Sequence, residues 1–264
     1  RGCIHRCSFC SIMGRESYQA RSVGGVLEVL NDYHERFREI WGEDIPPNSF
    51  RVHFADDDFA CDRERARDFF HAVRQTPFRL SSVQVSVADL CRREKGRLLA
   101  EVDEDLLDAI RPECFADYGK PVPIRDYVAD FKSRNWSSYL QLGVESYSDT
   151  ELIRLGKGYR VAHVRTVVSE MSKRRIHMDG YFILSNGDTT AEDLIEVVEE
   201  LCRLKLLFPI YFHIRFPIVP RLVSYFSSAT HRRWVRKGKE HVMAVRALAS
   251  TPGFPEFDYP FIES

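Results

Sequence analysis

Three of the seven cysteines in this 264-residue chain, Cys3, Cys7 and Cys10, stand at its start in the pattern C-x3-C-x2-C. Three thiolates can hold three irons of a [4Fe–4S] cluster, whereas the four-cysteine sets used for electron transfer give every iron a protein sulfur. A three-cysteine set leaves one iron open to a ligand that is not protein. The competing chemistry is a structural zinc loop, which wants a fourth Cys or His; His5 lies between Cys3 and Cys7. A disulfide with a spare thiol is the weakest reading. Cys61, Cys91, Cys114 and Cys202 are scattered singly, as free cysteines are in a reducing compartment.

The elements that must position these sulfurs follow in order. Val26, Leu30, Tyr33, Phe37 and Ile40 recur at helical spacing, so the pattern predicts an amphipathic helix over 22–41, ended by Gly42 and the Pro46-Pro47 turn. A strand over 50–55 runs into Asp56, Asp57 and Asp58, at least one of which is expected to cap a turn. A helix over 62–76 carries Ala66, Phe69, Phe70 and Val73 on one face, and a Val-rich strand over 81–90 has Ser86 near its end. The stretch 91–136 is longer than a single crossover needs and reads as an insertion, with helices over 104–110 and around 126–132. A strand over 139–144 ends in Glu145, a helix covers 161–173, and a strand over 178–184 leads into Ser185-Asn186-Gly187-Asp188-Thr189-Thr190. Thr189 or Thr190 caps a helix over 191–205 that carries Glu192 and Asp193 in its first turn, where the helix dipole favours acids. A last strand covers 209–218.

Strands alternating with helices at this spacing predict parallel βαβ units and an α/β fold. Such sheets place ligands at the C-terminal ends of their strands. Asp56 to Asp58, Ser86 and Glu145 all fall at such ends. His53, His177 and His213 alternate into strands and read as core histidines without a role.

Charged residues make up 29% of the chain and apolar ones 44%, with a net charge of −1, so no global field recruits nucleic acid or an anionic membrane. No apolar run approaches the roughly 18–20 residues that span a bilayer; the longest, 206–219, is broken by Pro209, His213, Arg215 and Pro217. With no signal peptide in view, the reading is a cytoplasmic protein without a membrane partner. A basic helix (His231, Arg232, Arg233, Arg236, Lys237, Lys239) reads as a solvated face, and nucleic acid is not an expected partner. The organisation expected is a core over 1–226 and a helical extension with an aromatic, Pro-rich tail over 227–264.

With Phe9 in its aromatic slot, the opening motif C-x3-C-x-aromatic-C resembles that of the radical S-adenosylmethionine (radical SAM) superfamily. The likeness is to the core shared by its cobalamin-binding and methylthiotransferase-like branches. It continues through Asp56-Asp57-Asp58-Phe59, Leu142-Gly143-Val144-Glu145-Ser146, Leu155-Gly156-Lys157-Gly158-Tyr159 and the segment ending in Thr190, in order over about residues 1–220. The resemblance implies a partial (βα)6 TIM-like barrel. Five of its six strands are readable, and the first would end at Arg1, so the chain looks truncated there.

Residue by residue, the resemblance makes Cys3, Cys7 and Cys10 the cluster ligands, with S-adenosylmethionine chelating the open iron. Phe9 would border the adenine, and Asp56, Asp57 and Asp58 would face the cationic amino group. Ser86 would meet the ligand, Glu145 would accept from the ribose hydroxyls, and Lys157 would sit near the methionyl carboxylate. There Lys157 is a point charge where some relatives have the Arg fork. Ser185-Asn186-Gly187-Asp188-Thr189-Thr190 departs from the family's Gly-x-Pro-Gly-Glu-Thr, which changes the backbone conformations open to that loop and puts its S-adenosylmethionine contacts in question.

The activity implied is reductive cleavage of S-adenosylmethionine to methionine and a 5′-deoxyadenosyl radical, for hydrogen abstraction or methyl transfer. Cobalamin would be carried by a domain outside this chain, and an electron donor such as flavodoxin or ferredoxin is expected. The substrate stays open. Sulfur insertion would need a second cysteine set, which the single cysteines do not provide. Two readings of other classes stand beside this one: a non-catalytic iron–sulfur or S-adenosylmethionine-binding scaffold, suggested by the altered loop, and a zinc-stabilised nucleic-acid-binding protein, suggested by the cysteines and the basic helix.

Overall fold

The computed structural model describes residues 2–10, 18–42, 50–112, 114, 139–183, 188–207 and 212–215. Helix α1 (Val23–Trp41) starts where the Ser22 hydroxyl accepts from Gly25 N and stops at Gly42, whose positive φ a side chain would resist. Its Val26 and Leu30 pack on the core, but Tyr33 and Ile40 of the same expected face are exposed. Strand β1 (Arg51–His53) is shorter than its pattern. Helix α2 (Arg63–Val73), capped by Asp62, buries the expected Ala66, Phe69, Phe70 and Val73.

Strand β2 (Arg79–Ser86) stops four residues before the end of its apolar run. The Ser86 hydroxyl accepts from Ala88 N and starts the one-turn helix α3 (Val87–Leu90), so a local side-chain bond ends the strand that hydrophobicity alone would extend. The expected insertion opens with a hairpin, β3 (Cys91–Glu94) and β4 (Arg97–Val102), turned at Lys95 and Gly96, both at positive φ. Helix α4 (Glu104–Ile110) follows as predicted. The helix expected around 126–132, the 185–187 loop and the basic helix and tail of 227–264 lie outside the described residues.

Strand β5 (Tyr139–Glu145) leads into a short helix, α5 (Asp149–Arg154), which the spacing did not predict. Helix α6 (Val161–Lys173) has the predicted bounds. Strand β6 (Met178–Phe182), helix α7 (Ala191–Leu207) and strand β7 (Phe212–Arg215) complete the series. The strands form one parallel sheet in the order β1-β2-β5-β6-β7. Their alternation with helices makes an α/β, partial TIM-like barrel that does not close. Val164, Val167, Val168 and Met171 of α6 join Leu140, Leu142 and Val144 of β5 in the core. Phe54, Phe59 and Phe69 meet edge to face with ring centroids 5.0–5.1 Å apart; Phe59 and Phe69 are fully buried, each worth about 1.5–3 kcal/mol. Among the described residues no helix is long and apolar enough to cross a membrane.

Candidate cofactor site

The cysteine loop, residues 2–10, meets the segments that follow β1, β2 and β5, at Asp58, Asp89 and Arg154–Leu155. On the β5 side it is fixed by backbone. Ser8 N donates to Leu155 O at 2.8 Å and Ser8 Oγ to Arg154 O at 2.8 Å, beside the buried Cys7. Gly156 turns the chain after α5 at φ +70°, and a Cβ there would stand 3.1 Å from Arg6 O and 3.3 Å from Ser8 N. Only a glycine lets this turn lie against the loop.

The turn is itself braced by α7. Ser148, the cap of α5, donates to Asp193 at 2.7 Å, and the Arg154 guanidinium bridges Glu151 and Asp193. Asp193 and Thr190 form a reciprocal capping box, with Thr190 N to Asp193 Oδ2 at 3.1 Å and Asp193 N to Thr190 Oγ1 at 3.2 Å. Burial works against the Asp193 charge, but the bonds from Ser148, Thr190 and Arg154 hold its carboxyl down at about 2. An acid predicted only to suit a helix dipole thus also ties α7 to α5.

At the end of β5, Glu145 adopts φ +67°, a left-handed conformation that costs a side-chain-bearing residue about 1–2 kcal/mol. The β5–β6 register shifts between Gly143 and Glu145. The carboxylate reaches Lys157 Nζ at 2.9 Å, with both side chains largely buried. Lys157 Nζ also lies 5.3 Å from the centre of the Phe9 ring and 5.7 Å from that of Tyr159. The Tyr159 hydroxyl lies 2.7 Å from Gly143 O and 3.0 Å from Val144 O, which bonds it to the strand end. Burial opposes the Lys157 charge, yet Glu145 outweighs it and holds the ammonium well above its usual range. Burial pushes the Cys7 thiol up, with Lys157 acting against it. The structure therefore gathers Cys7, Phe9, Glu145 and Lys157.

On the β1 and β2 side, side chains hold the loop. His5 Nε2 lies 2.5 Å from Asp89 Oδ2 and 3.3 Å from Asp58 Oδ2. Burial opposes its charge, but both carboxylates hold the imidazolium up at about 10. Burial raises Asp58 to about 7, helped by Asp89 and opposed by His5. Cys61 hydrogen-bonds Cys3 and brings that thiol down to about 6, while its own is pushed up; His5 N also donates to Cys3 Sγ at 3.4 Å. Of the three predicted acids, Asp58 is buried against His5 and caps the 3-10 turn Phe59–Cys61, while Asp56 and Asp57 are half-buried. Ser86 is buried and engaged in capping α3.

Four contributors escaped the sequence reading. Asp89 is 84 residues from His5, and no local pattern links them. Cys61 read as a lone cysteine. Ser8 and Asp193 act through backbone and caps, although Ser148-x-x-Glu151 is a capping-box pattern that announces α5.

No protein-family model matches the chain, and no curated protein matches it in sequence. Among solved structures, the cobalamin-dependent S-adenosylmethionine radical enzyme OxsB, with aqua-cobalamin and S-adenosylmethionine bound, aligns with 92% of this chain at a TM-score of 0.58 and 18% identity. The radical S-adenosylmethionine methyltransferase TsrM from Kitasatospora setae, with cobalamin and a [4Fe-4S] cluster bound, aligns with 90% at 0.55 and 14% identity. The chain shares the fold of these two radical S-adenosylmethionine enzymes. Streptococcus suis SuiB, bound to its precursor peptide SuiA, shares it at 0.52 and 9% identity over 92% of the chain. The chain spans 35% of OxsB, 36% of TsrM and 44% of SuiB. At these identities the likeness is one of fold.

The residues present suit a radical SAM cluster. Three thiols come from one loop, Cys7 is packed while Cys3 and Cys10 keep some exposure, and the turn at Gly156 lies directly against the backbone of that loop.

Proposed function

We propose that the chain is the core of a radical SAM enzyme, in which Cys3, Cys7 and Cys10 hold a [4Fe–4S] cluster and the adjoining strand ends bind S-adenosylmethionine. The observation that carries this reading is the docking of the cysteine loop on the 154–156 turn, beside the buried Glu145–Lys157 pair. Cluster and S-adenosylmethionine together supply one-electron cleavage of the sulfonium C–S bond, and with it a radical able to take hydrogen from an unactivated carbon.

What the protein contributes is placement. Lys157, charged and buried, offers a fixed positive site for a carboxylate; Glu145, acceptor-only, suits ribose hydroxyls. Phe9 presents a flat apolar face next to them, and Asp56 and Asp57 supply negative charge toward an ammonium group. Glu145 and Lys157 are buried and paired before any ligand arrives, which limits the ordering that binding must impose on them. A corrinoid carried outside this chain belongs to the proposal, because OxsB and TsrM are cobalamin proteins. So does an electron donor of the flavodoxin or ferredoxin kind.

Anaerobic reconstitution with iron and sulfide tests it. The expected product is a brown protein with a thiolate-to-iron absorption band that binds S-adenosylmethionine at equilibrium and releases 5′-deoxyadenosine under dithionite. Cys10→Ala should lose iron and sulfide while keeping its circular dichroism. A chain that takes up no sulfide, or that binds a cluster but no S-adenosylmethionine, refutes the reading.

A further inference from the structure

We propose that Cys3, His5, Asp58 and Cys61 form a second metal site, a mononuclear tetrahedral zinc centre that the chain uses when it carries no cluster. The donor atoms of these four residues all lie within 4.8 Å of one another. Zinc bonds of about 2.0–2.3 Å in a tetrahedron put donor atoms roughly 3.3–3.8 Å apart, so the set needs only a small contraction. Two thiolates and an imidazole are ligands that select zinc over magnesium or calcium. Asp58 and Cys61 are presented together by one 3-10 turn, Phe59–Cys61, with Asp58 at its cap. His5 Nε2 already lies 3.3 Å from Asp58 Oδ2, and Asp89, its side chain 2% exposed, lies 2.5 Å from the same nitrogen; zinc bound at Nε2 would take the place of the proton that now bridges these carboxylates, so binding releases protons.

Cys7 and Cys10 are not part of this set; Cys7 is pinned on the Lys157 side of the loop. Cys3 is common to both centres, so zinc and a complete cluster exclude each other. The site therefore gives the cluster-free chain a way to hold Cys3, with His5 and Cys61, against the ends of β1 and β2. This goes beyond the cluster reading and does not depend on it, since the four donors stand together whatever Cys7 and Cys10 bind.

The test uses the full chain, purified anaerobically without cluster and titrated with cobalt(II) as a probe for zinc. One cobalt per chain with tetrahedral d–d bands, displaced by zinc, is expected. X-ray absorption of the zinc form should show two sulfur and two nitrogen or oxygen neighbours. Cys61→Ser should weaken zinc binding by more than the roughly 10- to 100-fold that loss of an outer partner costs, yet still take up iron and sulfide. Cys10→Ala should show the reverse pattern, which separates failure of this site from failure of the cluster reading. Absence of cobalt binding, a three-sulfur shell, or unchanged zinc affinity in Cys61→Ser overturns the proposal. Should Cys61→Ser not fold, the sulfur count of the unmodified chain decides.

Discussion

Substituting Gly156 by alanine probes the contact on which the cysteine loop rests. At φ +70° an L side chain costs about 1–2 kcal/mol. The new Cβ would also stand 3.1 Å from Arg6 O, 3.3 Å from Ser8 N and 3.7 Å from Cys7 Cα, all backbone of the cysteine loop. These atoms cannot swing aside as a flexible side chain would. Relief requires the loop to back away and weaken the 2.8 Å bond from Ser8 N to Leu155 O, worth about 0.5–1.5 kcal/mol. The sum is about 2–3 kcal/mol, divided between lower stability and a displaced Cys7. The matched control is Gly158→Ala, where an added Cβ meets nothing within 4 Å.

Two assays read the two shares. Denaturant unfolding of the cluster-free proteins should place Gly156→Ala about 1 kcal/mol below the unmodified chain and Gly158→Ala within about 0.5 kcal/mol of it. Reconstituted Gly156→Ala should lose iron to a chelator at least about ten-fold faster than either, the factor that about 1.4 kcal/mol of misplacement gives. Equal stability and equal iron retention in the two alanine variants would refute the argument, because the loop then does not rest on the turn at 156.

Three further outcomes follow from the same geometry. A Cβ on Gly143 would lie 3.1 Å from Glu145 Oε1, so Gly143→Ala should weaken S-adenosylmethionine binding about ten-fold, or about 1.4 kcal/mol, in calorimetry with little change in stability. Glu145→Gln or Lys157→Met alone leaves a buried charge without its partner and should cost about 3 kcal/mol each, whereas the double variant should cost much less than their sum; strict additivity in denaturation would show the pair to be uncoupled. Asp193 is held at about 2 against 3.8 for an ordinary carboxyl, so its contribution is fully present above pH 3.8 and is lost as pH falls through about 2. With solvent screening of the partly exposed Arg154 allowed for, the stability gap between the unmodified chain and Asp193→Asn should shrink by about 1 kcal/mol over that window; a constant gap would show that the carboxylate charge is not what the brace uses.

What the sequence disclosed is what is encoded locally. The bounds of α6 follow from Val164, Val167, Val168 and Met171 recurring at the helical period and packing on one sheet face. The cysteine spacing needs only ten residues, and the acids at the ends of β1 and β5 fall where alternation stops. Hidden from the sequence were contacts that only folding creates. Ser86 ended β2 early, although Val83, Val85 and Val87 continue the apolar pattern through it. Tyr33 and Ile40 keep the apolar period of α1 yet stay exposed, while the polar-looking His34 meets Phe50 and Phe78. Cys61 and Asp89 come to the loop from separate strand ends, and neither carries a mark of its target in its neighbours.

The loop's two moorings differ in kind, and this orders the behaviour of its three sulfurs. Near Cys7 the bonds run from Ser8 to carbonyls of the 154–155 turn, with a glycine beneath, so Cys7 moves only if that turn moves. Near Cys3 the partners are side chains: Asp58 and Asp89 meet His5, and Cys61 meets Cys3. Cys7 is accordingly the backbone-held sulfur of the set, and Cys3 is the sulfur that the zinc proposal assigns to two centres. Moving the turn by Gly156→Ala should disturb the cluster and spare zinc, and removing Cys61 should do the opposite. On the two proposals, the loop would serve two metal chemistries because its ends are held by different parts of the barrel.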